Sequence, residues 1–538
     1  MLLKLSGGRI YDPINGIDGE VRDLFVRDGR VTAPPGAQAR VDREIDVTGK
    51  VVMPGGIDLH THIGGGKVNL ARAMLPEDHL EHPVARSAHT RSGSGAIVPS
   101  TWATGYRYAR MGYTAVFDPA VVPVNARQAH FEAADTPMVD TGGYAMLGND
   151  DFLLRLIAEG AEQPVIDSYV GWMLHATQCV GVKAVNPGGI SAFKFNQRKL
   201  DLDERNSHYG VSPRAIIQTL ARALSNLGVP GNFRSTLETI DAAEGLPIHL
   251  AHVQFHSYGS EGDAGFSSAA SQIAEAVNAH RNVTVDVGQV MFGQTVTTSG
   301  DTMRQYANHV HAHPRKWSAM DIECEAGCGV VPFRYRDERF VNALQWAIGL
   351  ELFLLIDDPW RVMLTTDHPN GAPFTTYPHL IRLLSDAAYR RDALERLHPE
   401  AARASALASI DREYSLYELA IATRAAPARL LGLSDHGHLG EGALGDIAVY
   451  EETPDRERMF ERPALVLKNG ELVVEEGRIV RTVGGSVQTV RPGFDPAIER
   501  RLREYLERYL DMRLDHYRIR DEELEAAGHV PVVVPLRA

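Results

Sequence analysis

The sequence predicts an α/β fold, a (β/α)8-type barrel carrying a small β-sandwich assembled from both chain ends. Three observations point there. Through the middle of the chain, apolar runs of strand length alternate with segments of helical periodicity, the grammar of repeated βα units around a parallel sheet. Short strands broken by turn residues fill the first 53 residues, and the same grammar returns late in "ALGDIAVYEE" and "ALVLKNGELVVEEGRIVRTV". Polar side chains stand where several apolar runs end, and barrels of this type build their sites at the C-terminal ends of their strands.

In chain order, "LLKLSGGRIYDP", "VRDLFVRDGRVT" and "REIDVTGKVVMP" supply the first sandwich strands. Residues 1–53 with 437–492 therefore make a composite domain, residues 54–436 the barrel, and residues 493–538 a helical tail. Barrel strands are expected at 51–60, 112–120, 136–144, 180–186, 247–254, 282–291 and 361–369, one short of eight. The gap falls in "PRAIIQTLARALSNLGVPGNFRSTLETIDAAEG", which reads as helix, turn and helix, so the fifth strand is doubtful. Closure then falls to irregular backbone or a hidden strand, because an open sheet edge is a liability. The helices include "SSAASQIAEAVNAH", "FVNALQWAIGLELFLL" and "LYELAIATRAAPARLLGL". In the tail, Asp495 to Leu524 reads as one charged helix whose Ile498, Leu502, Tyr505, Tyr509 and Leu510 form an apolar docking stripe.

Composition bounds the function. With 538 residues, 44% of them hydrophobic, the chain can bury a large core, and its net charge of −14 argues against nucleic acid or an anionic membrane as partner. The opening "MLLKLSGGRIYDPINGIDG" reaches turn residues too early for a signal segment, and no apolar run approaches the ~20 residues of a membrane span. A cytoplasmic protein is expected. Cys179, Cys324 and Cys328 make no disulfide framework. The two thiols of "DIECEAGCG" fall short of the four ligands of a closed zinc site.

The chemistry concentrates at strand ends. In "VVMPGGIDLHTHIGGG", His60 and His62 stand one residue apart, and residues i and i+2 of a strand face the same side. His252 closes "IHLAHVQ", Lys183 ends "VGVKAVN", and Asp367 lies in "LTTDHPNG". Imidazole and carboxylate both bind zinc at about 2.0–2.2 Å, so His60, His62 and Asp367 make a ligand set. An ammonium cannot ligate a cation, but a lysine carboxylated by carbon dioxide becomes an anionic bridge between metals. Lys194, in "SAFKFN", is the local rival to Lys183 for that role.

These residues resemble a known family. "MPGGIDLHTH", the strand-end lysine, "HLAHVQ", "LTTDHPNG" and the tail "TRAAPARLLGLSDHGHLGEGALGDIAVYEE" look like the metal-dependent amidohydrolase superfamily. "VKAVNPGG", "LGVPGN", "HVQFHSYG", "DVGQVMFGQTVT" and "TTDHPNGAPFTTYP" are similar to the A subunits of formylmethanofuran dehydrogenase and of the bacterial formyltransferase/hydrolase complex. The resemblance spans nearly the whole chain. It implies a two-zinc barrel that hydrolyses the formamide of a formylated methanofuran-type cofactor to formate and free amine, alongside other subunits of a complex in one-carbon metabolism. It also implies His60, His62, Lys183 (carboxylated), His252 and Asp367 as metal ligands. Asp367 would in addition carry a proton from the attacking water to the leaving amine, with His256 and Tyr258 as hydrogen-bonding candidates for the oxyanion.

The match breaks at one place. The family's fifth-strand histidine has no counterpart, since no histidine lies between His208 and His249. Water, His249, His256 or Asn226 are the candidates for the vacancy, and the centre would hold two metals, one or none. Arg198, Lys199, Arg315 and Lys316 are local candidates for meeting an acidic cofactor tail. No cysteine pattern for iron–sulfur or pterin binding occurs, so redox chemistry is not expected. The competing readings are another amidohydrolase, of dihydroorotase or hydantoinase type, and a non-catalytic scaffold with a degenerate site.

Overall fold

A computed structural model describes residues 1–36, 39–197, 199–234, 237–260, 265–300, 302–322 and 325–537. The barrel consists of β1 (Gly56–Asp58), β2 (Tyr113–Val121), β3 (Asp140–Met146), β4 (Gly181–Ala184), β5 (Gly231–Arg234), β6 (Ile248–Ala251), β7 (Val283–Asp286) and β8 (Val362–Met363). Each strand pairs in parallel with the next. Between β8 and β1 the join is made above the strands, by a bridge between Thr61 and His368 in which the His62 N–H donates to the His368 carbonyl at 2.8 Å. The strands are short and buried on both faces, which is why they read as apolar runs rather than as alternating patterns.

The fifth strand, which the sequence leaves doubtful, is present as a hidden strand. β5 is the four residues "GNFR" immediately after Pro230, paired with β4 on one side and β6 on the other. Its pattern offers a single apolar side chain, Phe233, which is fully buried. A strand of four residues with glycine and asparagine in its first half leaves almost no periodic signal.

The expected strand 51–60 is two strands. Lys50–Pro54 belongs to the terminal sheet, pairing with Leu2–Asp12 and Ile447–Glu451, while β1 begins the barrel at Gly56. The terminal sheet has nine strands, drawn from residues 2–54 and 447–479. Leu3, Leu5, Val26, Ile447 and Leu467 lie in its core. Ser486–Thr489, placed in the sandwich by sequence, instead pairs with the lower half of β3 at Thr141, and Val530–Val533 pairs with it in turn. The upper half of β3 pairs with β4, so the sheet forks along β3.

The tail is broken into three helices, Ala497–Tyr509, Leu514–Tyr517 and Asp521–Ala526. Leu510 takes an extended conformation that ends the first, and the turn lets Leu514 and Tyr517 bury as well. Ile498, Leu502 and Tyr505 of the stripe bury against the chain's own barrel, Tyr505 packing 5.1 Å from Phe152, while Tyr509 stays exposed; beyond the turn, Tyr517 packs 6.0 Å from Trp172, ring centre to ring centre. Above the barrel, Gly293–Ser299, Ser318–Ile322 and Glu325–Tyr335 form an antiparallel sheet that roofs the strand ends.

Candidate functional site

Under that roof lies a cavity of about 420 Å³, walled by His60, His62, Lys183, His252 and Asp367 with side chains from the roof. His60, His62 and Asp367 are all buried, and their donor atoms lie within 4.8 Å of one another. Oδ1 of Asp367 is 3.1 Å from His60 Nε2 and 3.3 Å from His62 Nε2, and Oδ2 is 3.6 Å from His252 Nε2. Local backbone aims these groups. Asp367 and His252 take left-handed conformations, φ +51° and +37°, uncommon for residues with a side chain and characteristic of functional sites. They can do so beside Gly288, where a Cβ would fall 2.5 Å from the Cβ of His252.

Buried carboxylates fix the imidazoles from behind. Asp286, at the end of β7, meets His60 Nδ1 at 2.7 Å and His249 Nε2 at 3.0 Å, and accepts the His252 backbone N–H at 2.7 Å. Asp118, on β2, meets His62 Nδ1 at 3.0 Å and the Lys67 ammonium at 2.9 Å. Burial alone would raise both carboxyl pKa values, yet His60 and His249 hold Asp286, and Lys67 and His62 hold Asp118, well below the usual range. An ionised carboxylate only accepts, so Nδ1 of His60 and of His62 donates, and in the neutral imidazole Nε2 then carries the lone pair; burial lowers the His60 pKa, but Asp286 and Asp367 raise it overall. Both Nε2 atoms face Oδ1 of Asp367, to which Asn370 Nδ2 also donates at 2.9 Å. Two imidazoles facing a carboxylate call for a proton or a metal cation among them, and imidazoles with a carboxylate, each imidazole held from behind by a further carboxylate, make a zinc-type donor set.

The other expected residues separate clearly. Lys183 lines the cavity, whereas Lys194 is exposed at the end of a short helix. His256 and Tyr258 line the cavity with Phe255, as the segment "HVQFHSYG" suggested. Asn226 lies on an outer helix and donates to Asp167 at 2.8 Å, far from any role here. His249 is buried with both nitrogens engaged, by Asp286 and by Thr284 at 3.0 Å. Lys199, Arg315 and Lys316 are exposed and none lines the cavity; Arg198 and Cys324 lie outside the described residues. Cys328 is buried and faces the cavity from the roof. Sequence reasoning missed Asp118 and Asp286. Both are carboxylates inside strand patterns, "AVFDPA" and "VTVDVG", and a charge in a doubly buried strand is itself a signal.

A second buried cluster joins Asp140, His436 and Asp446. Here the Lys468 ammonium bonds Asp140 and, at 2.6 Å, Asp446. His436 bridges Asp140 at 3.0 Å and Asp435 at 2.8 Å. Burial would lower the His436 pKa, but Asp140 and Asp435 push it up to about 9.

The profile of the amidohydrolase family matches residues 43–481. In Methylorubrum extorquens, the A subunit of the formyltransferase/hydrolase complex Fhc is 44% identical, covering 97% of each chain. Protein FwdA of Methanocaldococcus jannaschii is 40% identical over 96% of each. A crystal structure of the FhcABCD complex of Methylorubrum extorquens with methylofuran superposes at a TM-score of 0.94, with 42% identity, covering 99% of this chain and 100% of that one. Among the described residues, no helix is long and apolar enough to cross a membrane.

Proposed function

The chain belongs to the amidohydrolase family, and from that premise we propose that it is a zinc-dependent hydrolase of a formamide. Its substrate would be a formylated methanofuran-type cofactor, its products formate and the free amine, and its setting a formyltransferase/hydrolase complex. The likeness to the Fhc relative over nearly the whole of both chains supports the substrate class and the setting. One observation carries the chemistry: the convergence of His60, His62 and Asp367 in the cavity.

His60, His62 and Asp367 would hold the metal, with carboxylated Lys183 and His252 beside them. Zinc in that place supplies Lewis acidity, polarising the formyl oxygen and making water acidic near neutral pH. Asp367 takes the proton of the attacking water and returns it to the departing amine, which its place between His60, His62 and His252 allows. Asp286 and Asp118 keep the imidazoles in the ligating tautomer. His256 and Tyr258 face the same cavity and are the side chains offered to the tetrahedral oxyanion. The roof keeps bulk water from the reacting groups.

The test is a turnover assay on the zinc-loaded chain with its complex. Formate should be released from an N-formylated furan-amine, with no ring opening of hydantoin or dihydroorotate. Ring opening without formate release would overturn the substrate assignment, and a chain that binds no zinc and releases no formate would leave only a scaffold.

A further inference from the structure

We propose that Asn232 sets the number of metal ions in this basin at one, an inference that rests on the zinc reading above. Asn232 lies in the middle of β5, in register with Lys183 on β4 and with His249 on β6. Residues paired across a parallel ladder share a face of the sheet. Lys183 lines the cavity, so the Asn232 amide projects into the barrel interior next to it. It is 0% exposed, and neither Oδ1 nor Nδ2 has a hydrogen-bond partner among the described residues. Buried polar atoms are as a rule bonded, so an amide with both ends unsatisfied is suited to a group that joins the site after folding.

The donor chemistry identifies that group. His60, His62 and Asp367 form one compact set, enough for a zinc with an open position. On the Lys183 side the donors offered by the barrel strands are His252, the lysine itself and the neutral carbonyl of Asn232, while His256 lines the cavity from the turn beyond β6. Amide carbonyls suit harder ions than zinc, and His249 has no free nitrogen to replace it. The amide Nδ2, in contrast, is a good donor to an anion. When the neutral amine of Lys183 attacks carbon dioxide, an N–C bond forms, one proton leaves to solvent, and a carbamate anion remains. Asn232 Nδ2 then donates to one carbamate oxygen and leaves the other for the metal. The fifth strand thus stabilises the carbamate and contributes no ligand for a second ion.

Full-length protein loaded with excess zinc and 13C-bicarbonate tests this, with zinc counted by mass spectrometry and anomalous diffraction and the carbamate followed by 13C NMR. Wild type should hold one zinc and one carbamate per chain. Asn232→His should hold two zincs, and Asn232→Leu should keep one zinc but lose its carbamate about tenfold faster when bicarbonate is withdrawn. Two zincs in the wild type with normal formate release would overturn this inference alone. So would a folded Asn232→His that still holds one zinc, or an Asn232→Leu that keeps its carbamate as the wild type does. No zinc and no formate release in the wild type would overturn the proposed function with it.

Discussion

Among the described residues, two buried clusters join imidazole and carboxylate, and they are built to opposite ends. Around Asp140, three carboxylates meet three cations: Lys468, His436 and Arg30 answer Asp140, Asp446 and Asp435. Ser486 adds its N–H and its hydroxyl to Asp140, each at 2.7 Å. Charge balances inside the chain, and the cluster pins β3 to the terminal sheet and to the returning C-terminal segment. Around Asp367, the imidazoles of His60, His62 and His252 gather, Lys67 serves Asp118, and Lys183 lines the same cavity. Residue types alone do not separate a structural ion network from a metal site. Whether a carboxylate meets bonded ammonium groups or converging imidazoles does.

That contrast can be broken by substitution. Asp367→Asn should lower formate release by ~10³-fold or more, about 4 kcal/mol of barrier, with the melting temperature nearly unchanged. Loss of folding instead would make Asp367 structural. Asp140→Ala leaves a buried ammonium uncompensated and should cost about 3–5 kcal/mol of stability, read as a lower urea midpoint, with turnover of the folded fraction retained. A fall in zinc content in that variant would mean that the second cluster also binds metal.

The pH dependence has a definite sign. His436 has a folded pKa of about 9 against an ordinary 6.5, so its contribution is complete below pH 6.5 and is lost as pH rises through 9. That loss amounts to roughly 3 kcal/mol, and His436→Gln should flatten the alkaline limb of the stability profile. An unchanged limb would locate the alkaline sensitivity elsewhere. The smallest effect expected is in Asp118→Asn, which unseats the support of His62 and should weaken zinc binding by about 10–100-fold without changing the substrate choice. Competition with a chromophoric chelator would measure it.

Much of the candidate site was legible in the sequence because polar side chains stand where strands end: His60, His62, Lys183, His252 and Asp367 were singled out there, and all five line one cavity. What stayed hidden has physical causes. β5 spans four residues with one apolar side chain, too short for any period to register. The supporting carboxylates looked like ordinary polar residues until their partners, 56 and 226 positions away for Asp118 and Asp286, were brought beside them. The tail followed helical spacing through Leu510, but packing against Trp172 and Phe152 decided where it had to turn.

The fork along β3 ties the barrel to the end of the chain. Two late strands seat themselves against one of the earliest, through Val487 beside Thr141, Val534 bonding Thr489, and Arg537 bonding Gly228. The ring itself closes at Thr61 and His368, so the lower edge of its third strand is covered only by segments that lie more than a hundred residues beyond the eighth strand in sequence.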